Sequence, residues 1–374
     1  MGTPHGRELW RRSALRAPSR PASTRPGPGL TRCMATAATT LALVCGLAAT
    51  GCGGIASEGG PRAGAGVGAV GVVLPTTTPF WRAYDAAIPP QAKAHGVKAL
   101  PTVNSNSDIN KQLSDIHTLL VQRVKGLVVA PVDSAAIRPG LRAAEEEGVP
   151  VVAVDAVPDS GKIAMAVRAD NRAFGRKACH YLGNAVKTGK VVQIQGDLAS
   201  VNGRERTNSF STCMAKNYPR IKVLNIPAAW QAGKAAAGLE SLYNVNPEIK
   251  GIYLQAGGAY LVPTLSILER HNALFPVGDP RHITIVANDG IPQELDAIRK
   301  GEIDATVSQP VDLYAKYAMS YIKKAMRGQT FSPGPTDHGS TIVRLPNGLL
   351  EDQLPAPMVT KRNVNNPSLW GNRL

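Results

Sequence analysis

The sequence has few aromatic residues, few charges and especially few acids. Aromatic residues make up 5% of the 374 and charged residues 18%, and 42 Lys and Arg outnumber 27 acidic residues. Part of the resulting +15 charge belongs to residues 1–51, which hold seven Arg and one Glu and leave +9 for the rest. No basic run and no stripe of interleaved basic and aromatic residues occurs. The charge therefore does not indicate a nucleic-acid-binding surface, and we expect no nucleic-acid partner.

Common catalytic and cofactor motifs are also absent from the sequence. It has no nucleophile elbow, no cluster of metal-ligating residues and no phosphate loop, since GKAAAG at 233–238 does not fit that pattern. The seven His residues are scattered, and a lone one such as His117 is more often a helix-surface residue. Asp155 and Asp289 could form a glycosidase pair, but each carboxylate equally suits simple binding of hydroxyl groups. We therefore predict no enzymatic activity, no cofactor and no metal.

A long membrane span is missing as well. Residues 35–51 are uncharged, but they are only seventeen in number and mostly small, which is marginal for a span and typical of a signal peptide. The run ends in Ala49-Thr50-Gly51-Cys52, followed by two glycines. Small residues before a cysteine resemble a bacterial lipobox, in which the thiol accepts a lipid. A plain signal peptide, or an Ala-rich helix with an incidental Cys, is the alternative.

These features predict an exported lipoprotein on the outer face of the cytoplasmic membrane. Residues 1–51 would be the leader, Cys52 the lipidated first residue, and 52–67 a flexible Gly/Ala/Ser tether. The leader is long and rich in Pro, so translation could also start at Met34.

Two cysteines remain in the body of the chain, Cys179 and Cys213. Export permits a disulfide between them, and both fall in predicted helices that flank one strand. Two separate buried thiols are an equally open interpretation.

From residue 68 onward, short apolar runs alternate with helical patterns, as in the strand-like KGLVVAP followed by SAAIRPGLRAAEEEG. This alternation predicts parallel sheets covered by helices on both faces, an α/β fold with two layers in tandem. Ligands of open α/β sheets bind beyond the carboxyl ends of the strands. The rule selects the loops that begin near Leu74, Pro131, Asp155, Gly196, Ala228, Ala256, Asp289 and Gln309.

The order of segments over roughly residues 68–345 resembles the ribose-type family of periplasmic binding proteins, the type I solute-binding proteins of ABC sugar importers. The resemblance is carried by the stretch 107–156, ADN at 169–171, RER at 204–206, Trp230, NDG at 288–290 and ATVSQPVDLYA at 305–315.

The resemblance implies two doubly wound lobes, joined by three hinge crossovers, that close on one sugar. The crossovers are expected near 168–171, near Gln309 and around His338. The implied division is 68–168 plus 310–338 for the N-terminal lobe, 169–309 plus 339–355 for the C-terminal lobe, and a tail at 356–374.

The resemblance also implies a set of ligand-binding residues. They are an aromatic turn, two strand-end carboxylates and three further contacts: Thr78, Phe80, Trp81, Asp155, Arg206, Trp230, Asp289 and Gln309. Phe80 and Trp81 would stack on a sugar ring, although packing between the lobes is the alternative. Ala156 and Ala256 stand where the family often has Arg and Asn, so we do not expect ribose itself as the ligand.

The expected function is that of a monomeric substrate-binding lipoprotein that delivers a small polyhydroxylated solute to the permease subunits of an ABC importer. A sensory receptor that presents ligand from the same cleft is the alternative. A transcription regulator of the same fold would need an N-terminal helix-turn-helix, and the Arg/Pro-rich and apolar leader does not provide one.

Overall fold

The computed structural model describes residues 68–373. The predicted leader, the Cys52 lipidation site and the tether lie outside the described residues. Within the described part of the chain, no helix combines the length and the apolar character needed to cross a bilayer.

The first lobe is built on a nine-stranded sheet with the order β12-β13-β14-β6-β5-β4-β1-β2, in which β3 also pairs with β1. Strands such as GLVV at 126–129 are buried on both faces, as expected for a parallel sheet between helical layers. The first nine elements are β1 Ala69–Leu74, α1 Pro79–His95, β2 Lys98–Ala99, β3 Val103–Asn104, α2 Ile109–Val121, β4 Gly126–Val129, α3 Arg138–Glu146, β5 Val151–Val154 and β6 Met165–Ala169.

The second lobe has a six-stranded sheet in the order β15-β11-β10-β9-β7-β8. Its strands are parallel except β15, which runs antiparallel to β11. Its elements are α4 Asn171–Val186, β7 Gly189–Gln195, α5 Val201–Asn217, β8 Ile221–Pro227, α6 Ala232–Val245, β9 Ile249–Leu254, α7 Gly257–Arg270, β10 Thr284–Asp289, α8 Pro292–Lys300 and β11 Ala305–Ser308.

The chain then returns to the first lobe before its last strand joins the second sheet. The remaining elements are α9 Val311–Ala325, β12 Gly334–Pro335, β13 Thr341–Arg344, β14 Leu350–Leu354, β15 Met358–Thr360 and a 3-10 helix at Trp370–Asn372. Helix α9 packs on α1, β4 and β5. The chain therefore crosses between lobes after β6, after β11 and after β14, and the expected α/β architecture with two lobes and three crossovers is confirmed.

The assignment of 339–355 to the C-terminal lobe is wrong, and so is the third crossover near His338. Strand β14 pairs in parallel with β6 of the first sheet, so the crossing lies between Leu354 and Met358. The sequence of β14, LEDQL, looks solvent-exposed, but Glu351 and Asp352 are buried because partners satisfy both carboxylates. Arg168 bonds Glu351, and Ser340, His338 and Tyr321 bond Asp352.

The segment 356–374 is not a separate tail. It contributes β15 to the second sheet, and Trp370, only 4% exposed, packs against a hydrophobic core built mainly from first-lobe residues.

The two lobes repeat one topology. The order β2-β1-β4-β5-β6 in the first sheet matches β8-β7-β9-β10-β11 in the second. In this doubly wound order the second strand lies on one side of the first strand, and the later strands lie on the other side. This change of side opens a crevice at the carboxyl edge of each sheet. In the second lobe, a disulfide joins α4 to α5 through Cys179 and Cys213.

Candidate functional site

The cleft between the lobes is lined by loops at the carboxyl ends of both sheets. It holds about 860 Å³ of empty space, including open solvent at its mouth. Each of the eight loops selected from the sequence contributes to its lining. All eight candidate ligand-binding residues also lie on its wall: Thr78, Phe80, Trp81, Asp155, Arg206, Trp230, Asp289 and Gln309.

Two carboxylates occupy equivalent places in the two lobes. Asp155 follows β5 and Asp289 ends β10, and each of these strands pairs directly with the strand that precedes a crossover, β6 or β11. Their φ angles are 63° and 121°, in the region that non-glycine residues seldom adopt. Such strained positions are held by their surroundings and concentrate at functional sites.

Hydrogen bonds fix both oxygens of Asp289. Gln309 Nε2 donates to its Oδ1 at 2.7 Å, and the backbone N–H of Gly258 donates to its Oδ2 at 2.9 Å. Behind it, Trp370 Nε1 donates to its backbone carbonyl at 3.2 Å. Burial raises the pKa of Asp289 to about 6, although the Arg206 charge opposes the shift.

Asp155 is held on one oxygen only. Asn202 Nδ2, from the opposite lobe, donates to its Oδ2 at 2.8 Å. Its Oδ1 is buried and has no hydrogen-bond partner within residues 68–373. Burial raises the pKa of Asp155, and the charges of Arg206 and Arg168 lower it in part. A buried acceptor that lines a cleft without a partner is suited to a ligand hydroxyl.

Arg206, which lies on α5 and is 2% exposed, supplies a charged donor group to the site. Its Nε donates to Asn171 Oδ1 at 2.6 Å, and its Nη1 donates to the carbonyl of Gln255. Its Nη2 makes no hydrogen bond to any described residue, so that edge of the planar group is available to a ligand oxygen. The guanidinium also lies 5.0 Å from the ring centroid of Phe174 and 5.7 Å from that of Trp230.

Gln309 connects the site to two crossovers. Its Oε1 accepts from Tyr314 Oη at 3.3 Å, and that hydroxyl accepts from the backbone N–H of Ala169 at 2.8 Å. Because Ala169 ends β6 and Gln309 follows β11, these bonds join the first and second crossovers beside Asp289.

The aromatic candidates divide into two kinds. Phe80 is 3% exposed and packs edge-on against Trp81 and Tyr314 of its own lobe and against Trp370 beyond β15, so packing accounts for most of its surface. Trp230 is only partly buried and lies over Gly196, where an added Cβ would come within 1.9 Å of the indole. Its backbone φ of 60° is stabilised by the hydroxyl of Tyr260, which accepts from its N–H at 2.8 Å.

Residues 156 and 256–257 differ from the pattern of the ribose-type family, and none of them has a polar side chain. Ala156 and Ala256 line the cleft without a polar side chain. A Cβ on Gly257 would lie 1.3 Å from Glu294 Oε1, so Glu294 fills the space that a side chain there would need. Glu294 is buried, and burial together with the Asp289 charge raises its pKa well above the usual range.

Several polar residues of the cleft were missed by the sequence reasoning. Asn202, Ser200 and Asp197 form one group near the start of α5, and Gln231 lies beside Trp230. Asp197 lies in the loop that begins near Gly196, whereas Asn202 lies within the first turn of a helix and not at the end of a strand. No periodicity or motif marks it.

A sequence profile described as "Periplasmic binding protein domain" matches residues 70–330, more than half of the chain. The chain belongs to the periplasmic binding protein family. Members of this family bind solutes and are not enzymes, which confirms the prediction of no enzymatic activity and removes the glycosidase interpretation of Asp155 and Asp289.

The match to curated relatives covers most of the length of each relative. The ribose import binding protein RbsB of Bacillus subtilis is 27% identical over 253 residues, 67% of this chain and 79% of the relative. The xylitol-binding protein of Mycolicibacterium smegmatis is 25% identical over 293 residues, 78% of this chain and 80% of the relative.

A solved structure matches this chain with a similar identity and over a similar share of its length. An ABC transporter solute binding protein from Mycobacterium smegmatis, with bound glycerol, has a TM-score of 0.68 and 26% identity over 80% of this chain and 96% of that one. A solute binding protein from Bacillus halodurans, with bound myo-inositol, has a TM-score of 0.70 and 16% identity, and shows the fold alone.

Proposed function

We propose that this protein is the substrate-binding lipoprotein of an ABC importer and that it captures a small polyhydroxylated solute, a sugar or a polyol, between its lobes. The eight candidate residues would be its binding contacts, Cys52 would carry the lipid, and the permease subunits would receive the closed, loaded form.

The observation that carries this proposal is the pair of strand-end carboxylates from opposite lobes. In the same cleft, one Asp155 oxygen and one edge of Arg206 have no hydrogen-bond partner among residues 68–373. A hydroxyl group both donates and accepts, so a polyol can satisfy the carboxylates and the guanidinium together. Trp81 and Trp230 would cover the apolar C–H faces of such a ligand. The names of the relatives support this class, since they specify ribose import, xylitol binding and bound glycerol.

The apolar positions at Ala156 and Ala256 favour a ligand with fewer hydroxyl contacts than a fully hydroxylated pyranose or furanose. Each buried hydroxyl left without a partner would cost about 1–3 kcal/mol. We therefore expect less hydroxylated sugars to bind more tightly than D-ribose.

A thermal-shift and calorimetric screen tests the function directly. D-ribose, D-allose, L-arabinose, xylitol, myo-inositol and glycerol would be added to the full chain, with amino acids and a dipeptide as controls. We expect at least one polyhydroxylated compound to raise the melting temperature and bind with one-to-one stoichiometry. If only controls bind, the proposed ligand class is wrong. If the response of cells to the bound compound requires a neighbouring kinase gene rather than a permease gene, the sensory alternative replaces transport.

The lipid anchor is tested by metabolic labelling with radioactive palmitate in a bacterial host. The parent chain should incorporate label and sediment with membranes, and Cys52→Ser should do neither because it lacks the acceptor thiol. Cys45→Ser, in the proposed signal peptide, is the matched control and should remain labelled. Label retained by Cys52→Ser would remove Cys52 as the lipidation site.

A further inference from the structure

Asn202 lies at the contact between the lobes and is 3% exposed. It belongs to the first turn of α5 in the second lobe, where the Ser200 hydroxyl caps the helix and accepts from the Asn202 N–H at 3.3 Å. Both ends of its side-chain amide contact the first lobe. Nδ2 donates to Asp155 Oδ2 at 2.8 Å, and Oδ1 accepts from Arg168 Nη2 at 2.8 Å.

The chemistry of the two partners fixes the orientation of this amide. Arg168 has no acceptor, so only the oxygen of Asn202 can face it. An ionised Asp155 has no donor, so only the nitrogen of Asn202 can face it. The amide therefore cannot turn over without losing both bonds, which makes Asn202 a fixed connector between an acid and a base.

Arg168 continues the connection into the interior. It is 1% exposed, and it also donates to Glu351 of β14 in its own lobe at 3.0 Å and to Glu205 of α5. The resulting series runs from Asp155 to Asn202, Arg168 and Glu205, and each of its three bonds joins one lobe to the other. An opening that separates Asp155 from α5 would break at least the first of these bonds.

The ligand end of this series is Asp155. Its second oxygen, Oδ1, is buried on the cleft wall without a hydrogen-bond partner among residues 68–373. Ala156, the next residue along the chain, adds no polar group beside it. The only side chain that holds the Asp155 carboxylate is therefore that of Asn202, among the hydrogen bonds of the described residues.

We propose that Asn202 is a positioning residue that aims Asp155 Oδ1 at the ligand and couples ligand capture to lobe closure through Arg168. This inference rests on the proposed function, because it assigns to Asp155 a ligand hydroxyl. It adds that the second lobe, and not the lobe to which Asp155 belongs, orients this carboxylate. A ligand that bonds Asp155 Oδ1 then stabilises the closed arrangement in which the other oxygen meets Asn202.

The test compares Asn202→Ala with Asn208→Ala in the full chain, using xylitol and D-ribose as probes. Asn208 lies on the same helix, is exposed, and makes no side-chain hydrogen bond within the described residues. We expect Asn202→Ala to weaken binding about tenfold or more, mainly through faster dissociation, since a bond to a charged partner is lost on closure. Asn208→Ala should keep the parent affinity.

A double-mutant cycle separates positioning from a merely structural role. If Asn202 acts through Asp155, Asn202→Ala should change affinity by less than about twofold in an Asp155→Ala background. Full additivity of the two changes would overturn the inference, and so would parent affinity in Asn202→Ala. Asn202→Ser provides a second variant should the alanine variant fail to fold. If the parent itself binds neither probe nor any compound of the polyol panel, the proposed function fails first and this inference fails with it.

Discussion

At the scale of single residues, we expect the charge on Asp289 to set how ligand binding responds to pH. Both of its oxygens already accept one hydrogen bond, from Gln309 and from Gly258, and each retains a lone pair for a ligand hydroxyl. Protonation would remove part of that acceptor capacity. Because burial raises the pKa of Asp289 to about 6, the change falls within an easily measured range.

We predict that ligand affinity rises with pH through about 6 and is constant above about 7. At pH 5.0 roughly a tenth of Asp289 would be ionised, so binding should be up to about tenfold weaker than at pH 7.5. Isothermal titration calorimetry with xylitol at five pH values checks this. Asp289→Asn should bind weakly and lose the change in affinity near pH 6, whereas Asp296→Asn, an exposed acid on α8, should follow the parent. Equal parent affinity at pH 5.0 and 7.5 would contradict the prediction.

The raised pKa of Asp289 has the opposite effect on the stability of the ligand-free chain, which falls as pH rises. A carboxyl whose pKa is raised on folding stabilises the folded state below its ordinary pKa, and that contribution disappears as pH rises through 6. At pH 7.5 the buried charge of Asp289 therefore adds nothing to stability, and a lower melting temperature of Asp289→Asn would come from its amide nitrogen, which would face the Gln309 or the Gly258 donor. Asparagine suits the site better than alanine, because the backbone φ is 121°.

At the scale of elements, the sequence predicts where the strands end but not which side chains meet there. Apolar runs followed by turns identify all eight loops of the cleft, because parallel strands share one carboxyl edge. The polar strand β14 was placed in the wrong lobe, since Arg168 and His338 bury its two acids by contacts remote in sequence. Trp370 was assigned to a tail for a similar reason, because its contact with Asp289 depends on the final crossover. Both wrong predictions, for β14 and for Trp370, therefore depend on contacts that only the folded chain brings together.

The start of α7 and the first turn of α8 are tightly packed against each other behind the site. Glu294 accepts from the backbone N–H groups of Gly290 and Ile291 and from the Thr306 hydroxyl, which closes the first turn of α8. Its other oxygen occupies the space next to Gly257, the first residue of α7. A side chain at Gly257 and the present position of Glu294 exclude one another.

We predict that Gly257→Ala lowers the free energy of unfolding by about 1–3 kcal/mol, because the added methyl group overpacks this junction. Urea denaturation followed by circular dichroism measures the effect. Gly233→Ala is the matched control: it lies in the first turn of α6, and its Cβ would meet nothing within 4 Å. That variant should be neutral or slightly more stable, since alanine favours a helix. Equal stability of the two variants would show that Glu294 moves aside at no cost.

At the scale of the whole molecule, repetition of one topology explains why the two carboxylates face a common cleft. Crossovers that follow the equivalent strands β6 and β11 place the carboxyl edges of both sheets opposite one another. Asp155 and Asp289 lie one strand away from those crossovers in their respective sheets. Rotation about the crossovers would separate the residues of one lobe from those of the other, so the site is complete only when the lobes meet.

The contacts that hold the lobes together extend beyond the buried residues around Asn202. Near the start of α5, the Ser134 hydroxyl accepts from the Val201 N–H at 2.9 Å, and the Ser134 N–H donates to the Ala199 carbonyl at 3.1 Å. Arg204 forms an ion pair with Asp159, with both side chains about a third or more exposed. These contacts join the two lobes without lining the cleft, so we expect them to stabilise the arrangement in which the lobes meet.

We predict that Arg204→Ala speeds ligand dissociation about two- to fivefold and leaves the association rate nearly unchanged. An exposed ion pair contributes about 0.2–1 kcal/mol, and its loss penalises only the closed state. Stopped-flow fluorescence of Trp81 and Trp230 with xylitol measures both rates. Arg270→Ala is the matched control, since it removes a pair with Glu240 inside the second lobe and should leave dissociation unchanged. The difference between these variants should shrink at high salt, where exposed charges are screened. A difference that persists at 1 M salt would mean that packing of the Arg204 side chain, rather than its charge, holds the lobes closed.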